Sequence, residues 1–182
     1  MKFIQTNIKD LLVVEPIFFG DSRGWFSESY NKSVFRKNGI EIEFVQDNHS
    51  YSAQKGVLRG LHFQNNPIAQ TKLVRCTKGK IWDVAVDLRK SSPTYLKWFG
   101  IELSSDNHKM LLVPKGFAHG FVTLEEHTEV QYKVDNVYDK KSDRTIKYND
   151  PQIDIQWPIK EVILSDKDLY APLLKDSDVN FL

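Results

Sequence analysis

Lys80-Ile-Trp-Asp-Val-Ala-Val-Asp-Leu88 puts Trp82, Val84, Val86 and Leu88 on one side and Ile81, Asp83, Ala85 and Asp87 on the other. A side-chain period of two belongs to a β-strand, and this segment reads as a half-buried one. Just before it, Lys72–Thr77 is a second β-rich run, and Lys78-Gly79 between them predicts a hairpin. Outward in both directions the same unit recurs: Leu11–Val14, Trp25–Tyr30, Phe44–His49, Val57–Phe63, Lys97–Leu103, Met110–Val113, Phe117–Leu124 and Glu129–Val134. Turn residues such as Gly20-Asp21, Ser91-Ser92-Pro93 and Asp106-Asn107 separate these runs. Many short strands at this spacing predict an all-β fold, a jelly-roll barrel whose interior can hold a small ligand. A few short helices complete it: Lys32–Asn38, opened by Asn31 or Ser33 and stopped by Gly39, and a turn near Ser165–Leu169.

The 182 residues are 41% hydrophobic and 27% charged, without repeat or linker-like stretch, which predicts a single domain over 1–182. Lys and Arg number 25 against 24 Asp and Glu, so no global field favours nucleic acid or an acidic membrane. An anionic ligand must therefore be held by a few placed cations. Cys76 stands alone and cannot form an internal disulfide, and no Cys/His spacing resembles a zinc cluster. A reducing cytoplasm is the expected location. Apolar runs such as Met110–Val113 are too short to span a bilayer, and Met1–Asp10 lacks the apolar core of a signal peptide.

Gly56-Val-Leu-Arg-Gly-Leu-His62 and Pro114-Lys-Gly-Phe-Ala-His-Gly120 resemble the two motifs of the cupin superfamily. Metal-binding cupins use a His-x-His pair and an acidic residue, but here Gln64 fills the second His slot and Lys72 the acidic one. An ammonium in a ligand position repels a divalent cation, so neither metal nor other cofactor is expected. The same polar set suits removal of a proton next to a ketone, which needs a base, a fixed cation for the growing enolate and a proton donor. His62, Lys72 and Tyr132 have those chemistries: histidine titrates near ~6.5, and tyrosine keeps its proton to about 10.

Blocks running in order along the chain resemble the dTDP-4-dehydrorhamnose 3,5-epimerase family. They are Asp21–Glu28, Gln46–Ser50, Gly56–His62, Gln70–Val74, Asp87–Arg89, Pro114–Phe121, Tyr132-Lys133 and Leu164–Asp168. The resemblance implies a metal-free epimerase of dTDP-4-keto-6-deoxy-glucose. It casts His62 as the base for the C3 and C5 protons, paired with Asp168, Lys72 as the enolate cation and Tyr132 as the returning proton donor. It places Arg59 on the diphosphate, joined in substrate binding by Lys167, with Arg23, Glu28, Gln46, Asn48 and His119 lining the site and Tyr138 stacking on thymine. It also implies a homodimer with exchanged N-terminal strands, in which Arg23 and Glu28 serve the partner's pocket. His49, His108, His127 and Cys76 read as structural.

Two local features test this reading. Strict alternation puts Arg59 and His62 on opposite faces of Val57–Phe63, unless Gly60 marks a bulge. Around Tyr138 the family commonly shows a proline and a glutamate, whereas here the proline is absent and Asp143, one methylene shorter, takes the glutamate's place as a substrate-binding residue, within an Asp139–Arg144 run that by composition reads as a solvated loop. Relatives that invert only C3 share much of the residue set, so that alternative stays open, as does a non-catalytic sugar-nucleotide-binding jelly roll.

Overall fold

The computed structural model describes residues 1–182. In chain order the strands are β1 (Lys2–Gln5), β2 (Leu12–Glu15), β3 (Phe18–Asp21), β4 (Gly24–Ser27), β5 (Gln46–Ser52), β6 (Leu58–Gln64), β7 (Lys72–Lys78), β8 (Lys80–Asp87), β9 (Trp98–Ser104), β10 (Met110–Val113), β11 (Phe117–Thr123), β12 (Thr128–Val134) and β13 (Asp143–Thr145). Helix α1 (Lys32–Lys37) and the single turn α2 (Asp166–Leu169) complete the main elements. A six-stranded sheet, β1-β2-β10-β7-β12-β5, faces a five-stranded sheet, β13-β6-β11-β8-β9, and the two make a cupin-type jelly roll. Val74, Cys76 and Val130 from one sheet meet Ile81, Ala85 and Phe121 from the other in the core between them. No helix is long and apolar enough to cross a membrane.

The expected hairpin of β7 and β8 does not form. β7 pairs with β10 and β12, while β8 pairs with β11 and β9 in the opposite sheet. Gly79 alone separates the two strands, too little chain for the usual two-residue hairpin turn, and it carries the chain across the sandwich at φ +72°. A Cβ there would lie 2.5 Å from Thr128 Oγ1, so glycine is required for space as well as for conformation.

β8 is also buried on both faces rather than one. Ile81, Asp83 and Ala85 point between the sheets, while Val84 and Val86 are covered from outside by Ile146, Ile153, Leu174 and Phe181 of the C-terminal segment. Other boundaries shift too. The β3–β4 hairpin turns at Ser22-Arg23, where Asp21 Oδ1 accepts from the Arg23 backbone N–H at 2.8 Å, instead of at Gly20-Asp21. β5 begins two residues later than read, and α1 is capped by Asn31, whose Oδ1 accepts from Ser33 and Val34.

Candidate active site

The conflict at Arg59 and His62 is resolved by a bulge in β6. His62 pairs with His119 and Arg59 with Phe121, so Gly60 and Leu61 together oppose the single residue Gly120. One extra residue reverses the alternation and sends Arg59 and His62 to the same inter-sheet side. Gly60 has φ +141°, and a Cβ on it would fall 2.6 Å from Gly120 Cα. The bulge thus depends on two glycines packed backbone to backbone.

A cavity of about 240 Å³ opens at this end of the sandwich, lined by His62, Phe63, Gln64, Gln70, Lys72, Tyr132, Tyr138, Asp143 and Lys167. His62 and Gln64 reach it from the five-stranded sheet, Lys72 and Tyr132 from the six-stranded one. His62 Nε2 lies 2.6 Å from Asp168 Oδ1, and Asp168 is 2% exposed. A carboxylate can only accept, so Nε2 carries the proton and the lone pair sits on Nδ1. Asp168 is fixed in turn: Ser165 Oγ donates to its Oδ2 at 2.9 Å, and Ser165 caps α2 by accepting from the Asp168 backbone N–H.

Burial pushes the His62 pKa down against the opposing pull of Asp168, which keeps the imidazole neutral near pH 7. Burial works against ionisation of Asp168, but the hydrogen bonds from His62 and Ser165 hold its carboxyl below the ordinary value. Lys72 is 7% exposed and reaches across the sandwich to donate to the His62 carbonyl at 3.3 Å. Its burial lowers the ammonium pKa to about 8, opposed by Asp83 and Asp143. The Lys72 Nζ stands 6.0 Å from the centre of the Tyr132 ring, and burial raises the Tyr132 pKa, opposed by Arg59.

The mouth carries Tyr138, Asp143 and Lys167. Asp143 Oδ2 accepts from Lys167 Nζ at 2.6 Å and from the Tyr138 hydroxyl at 3.3 Å. Asp143 is therefore not in a solvated loop: it opens β13, opposite Gln64 on β6. Arg59 donates to the Tyr51 carbonyl at 3.1 Å, and its buried Nε has no partner. Gln46 and Asn48 face inward on β5 and bond to each other at 2.8 Å. His119 is packed on Asp83, Nε2 to Oδ1 at 2.8 Å, and does not border the cavity.

Arg23 and Glu28 are not brought to this cavity within one chain. Arg23 pairs with Asp21 at the exposed hairpin tip, and Glu28 accepts from Asn31. The residues that sequence reasoning passed over are Asp83, Ser165, Phe63 and Gln70. Asp83 had a signal, a carboxylate inside an apolar strand. Ser165 had the cap spacing of Ser-x-x-Asp ahead of a turn.

A family model described as dTDP-4-dehydrorhamnose 3,5-epimerase matches residues 5–176. The chain belongs to that family. A dTDP-4-dehydrorhamnose 3,5-epimerase of Shigella flexneri is 52% identical over 179 residues, covering 98% of each chain. Among solved structures, the dTDP-4-dehydrorhamnose 3,5-epimerase of Bacillus anthracis, with TDP and PPi bound, shares 57% identity at a TM-score of 0.93 over 95% of this chain and 99% of that one. The dTDP-6-deoxy-D-glucose-3,5-epimerase of Legionella pneumophila, in complex with dTDP-4-keto-L-rhamnose, shares 46% identity at a TM-score of 0.93 over 97% and 94%. Membership makes this chain an isomerase, and the 3,5-epimerases at this level of identity favour inversion at two centres over the C3-only alternative.

Proposed function

We propose that the enzyme inverts C3 and C5 of dTDP-4-keto-6-deoxy-D-glucose to give dTDP-4-keto-L-rhamnose. The observation that carries this is a neutral imidazole, held by a buried carboxylate, in one cavity with an ammonium and a phenol that come from the opposite sheet. His62 Nδ1 takes the proton from C3, the C–H electron pair moves into the ring, and the C4 carbonyl oxygen becomes an enolate oxygen beside Lys72. Collapse of the enolate with a proton from Tyr132, on the other face, inverts the carbon. Water then reprotonates the phenolate and relieves the imidazolium, and the cycle repeats at C5. Asp168 favours the imidazolium formed at each abstraction.

The donor set supports chemistry without a metal. Nowhere do three His, Cys, Asp or Glu side chains converge to hold an ion, and Lys72 occupies the acidic slot. Arg59 and Lys167 supply cations for the diphosphate, and Tyr138, exposed at the mouth, offers a ring to thymine. Gln46 and Asn48, facing inward from β5, offer polar groups to the sugar.

Arg23 and Glu28 serve a second copy of the chain in this reading. The β3–β4 hairpin pairs only with itself and exposes Phe19, Trp25 and Phe26 by more than 60% each, an apolar surface suited to association. The lone buried Cys76 suits a cytoplasmic setting.

Turnover of the keto sugar in D2O tests the proposal: deuterium at both C3 and C5 of an L-configured product supports it, and deuterium at C3 alone points to the single-centre reaction. In the same assay Tyr132→Phe is expected to retain proton exchange while net inversion falls about 10²-fold, because it removes the donor and keeps the base. Equal loss of exchange and inversion would contradict separate roles.

The pH profile follows from the two nitrogens. His62 must be neutral, so kcat/KM should rise through a pKa below the ordinary histidine value of about 6.5. Lys72 must be charged, so kcat/KM should fall again through its pKa, about 8. Lys72→Arg, which stays protonated, should move only the alkaline limb upward. A limb unmoved by that substitution would belong to another group.

A further inference from the structure

We propose that Gln64 is a positioning residue for nucleotide recognition: its carboxamide locks the backbone on both sides of Tyr138 and so fixes the ring against which the base stacks. The proposal rests on the stacking reading of Tyr138 given above. Gln64 is 3% exposed on β6, in the slot where metal-binding cupins carry a histidine ligand. Its Nε2 donates to the carbonyls of Ile68 at 2.7 Å and Val137 at 3.2 Å, and its Oε1 accepts from the Asp139 N–H at 2.8 Å.

The segment between β12 and β13 has few backbone partners of its own. Side-chain amides take their place. Gln70 donates to the Asn136 carbonyl at 2.7 Å, and Gln46 Oε1 accepts from the Tyr138 N–H at 3.1 Å. Gln64 is the buried member of this set and the only one that grips both flanks of Tyr138. The Tyr138 side chain is 58% exposed, with a single hydrogen bond to Asp143, so its placement depends on the backbone beneath it.

The chemistry of the slot selects a carboxamide. Two donations and one acceptance are made at once, which a neutral imidazole, with one donor and one acceptor, cannot supply, nor can a carboxylate, which only accepts. The residue that removes a metal ligand from this fold thereby acquires a different task.

Gln64→Met keeps the length of the side chain and deletes all three bonds. The expected result is a rise of about tenfold in KM and in the dissociation constant for dTDP, with kcat changed by less than about threefold. Amide hydrogen exchange over residues 136–139 should accelerate while β6, β7 and β12 keep their protection. In a Tyr138→Ala background the substitution should cause no further loss of dTDP affinity, because the two act through one contact. Additive losses in the double variant, or a fall in kcat with KM unmoved, would overturn the proposal. Tyr138→Ala alone binding dTDP as the parent does would refute the stacking reading and the proposal with it. Should Gln64→Met not fold, Gln64→Asn, too short to reach all three partners, must show the same split between KM and kcat and the same local exchange; parental behaviour there would refute positioning by Gln64 while leaving the stacking reading intact.

Discussion

His62→Ala is expected to slow epimerisation by about 10²–10⁴-fold while leaving dTDP affinity within about tenfold, because the base is lost and the nucleotide contacts are not. No second imidazole can take over. His119 sits opposite His62 in the strand register, but it is committed to Asp83 and lies outside the cavity lining. His49 is on the outer face with Glu129, and His127 is bonded to Tyr51. The local fold should tolerate the change, since the bulge in β6 is held by Gly60 and Gly120 rather than by the imidazole. Progress curves on the keto sugar and a dTDP titration check both halves, and a rate within tenfold of the parent would assign the base elsewhere.

Lys72→Met should lower kcat by about 10²–10³-fold, the scale seen when one group facing a developing oxyanion is removed. The effect is electrostatic. Lys72 is almost wholly buried, and a charge in such surroundings acts on a neighbouring oxygen with far less screening than water would impose. The same burial lowers its pKa to about 8, so most of the population is charged at pH 7 and ready before substrate arrives. Methionine fills a similar volume without charge, and the β7 backbone remains paired on both sides, to β10 and β12. Steady-state kinetics at pH 7 check the size of the effect, with Lys72→Arg as the variant that retains a cation; equal losses in both variants would mean that shape, not charge, matters at this position.

Much of the architecture was legible in the chain because short alternating runs and their turns are local signals. What was not legible arose from parts that meet only in three dimensions. The alternation of Lys80–Leu88 correctly gave two faces, yet it could not show that a C-terminal segment poor in regular structure covers the outer one. Nor could it show that Gly79 sends the chain to the other sheet, since a single glycine between two strands reads like a hairpin turn until the pairing is known.

The site divides in the same way. Gly60 announced itself through a conflict, two wanted residues on opposite faces, and the bulge is the physical answer. Tyr132 and Asp168 carry no local mark of their roles: one is a phenol of suitable chemistry among apolar strand neighbours, the other a carboxylate in a surface-like turn, and the family resemblance is what placed both in the site. The surroundings of Asp143 were misread because a mixed-charge stretch looks solvated whether or not its last two residues, Asp143 and Arg144, pair with β6. Gln64 was read by what it lacks as a ligand; its hydrogen bonds could be seen only once Ile68, Val137 and Asp139 were brought around it.

One imidazole serving both carbons in turn is the centre of the mechanism, and site-resolved NMR of deuterium uptake by His62→Ala in D2O addresses it directly. Exchange should vanish at C3 and at C5 together, in parallel with epimerisation. Uptake persisting at either carbon at near the parental rate would show that a second base acts there.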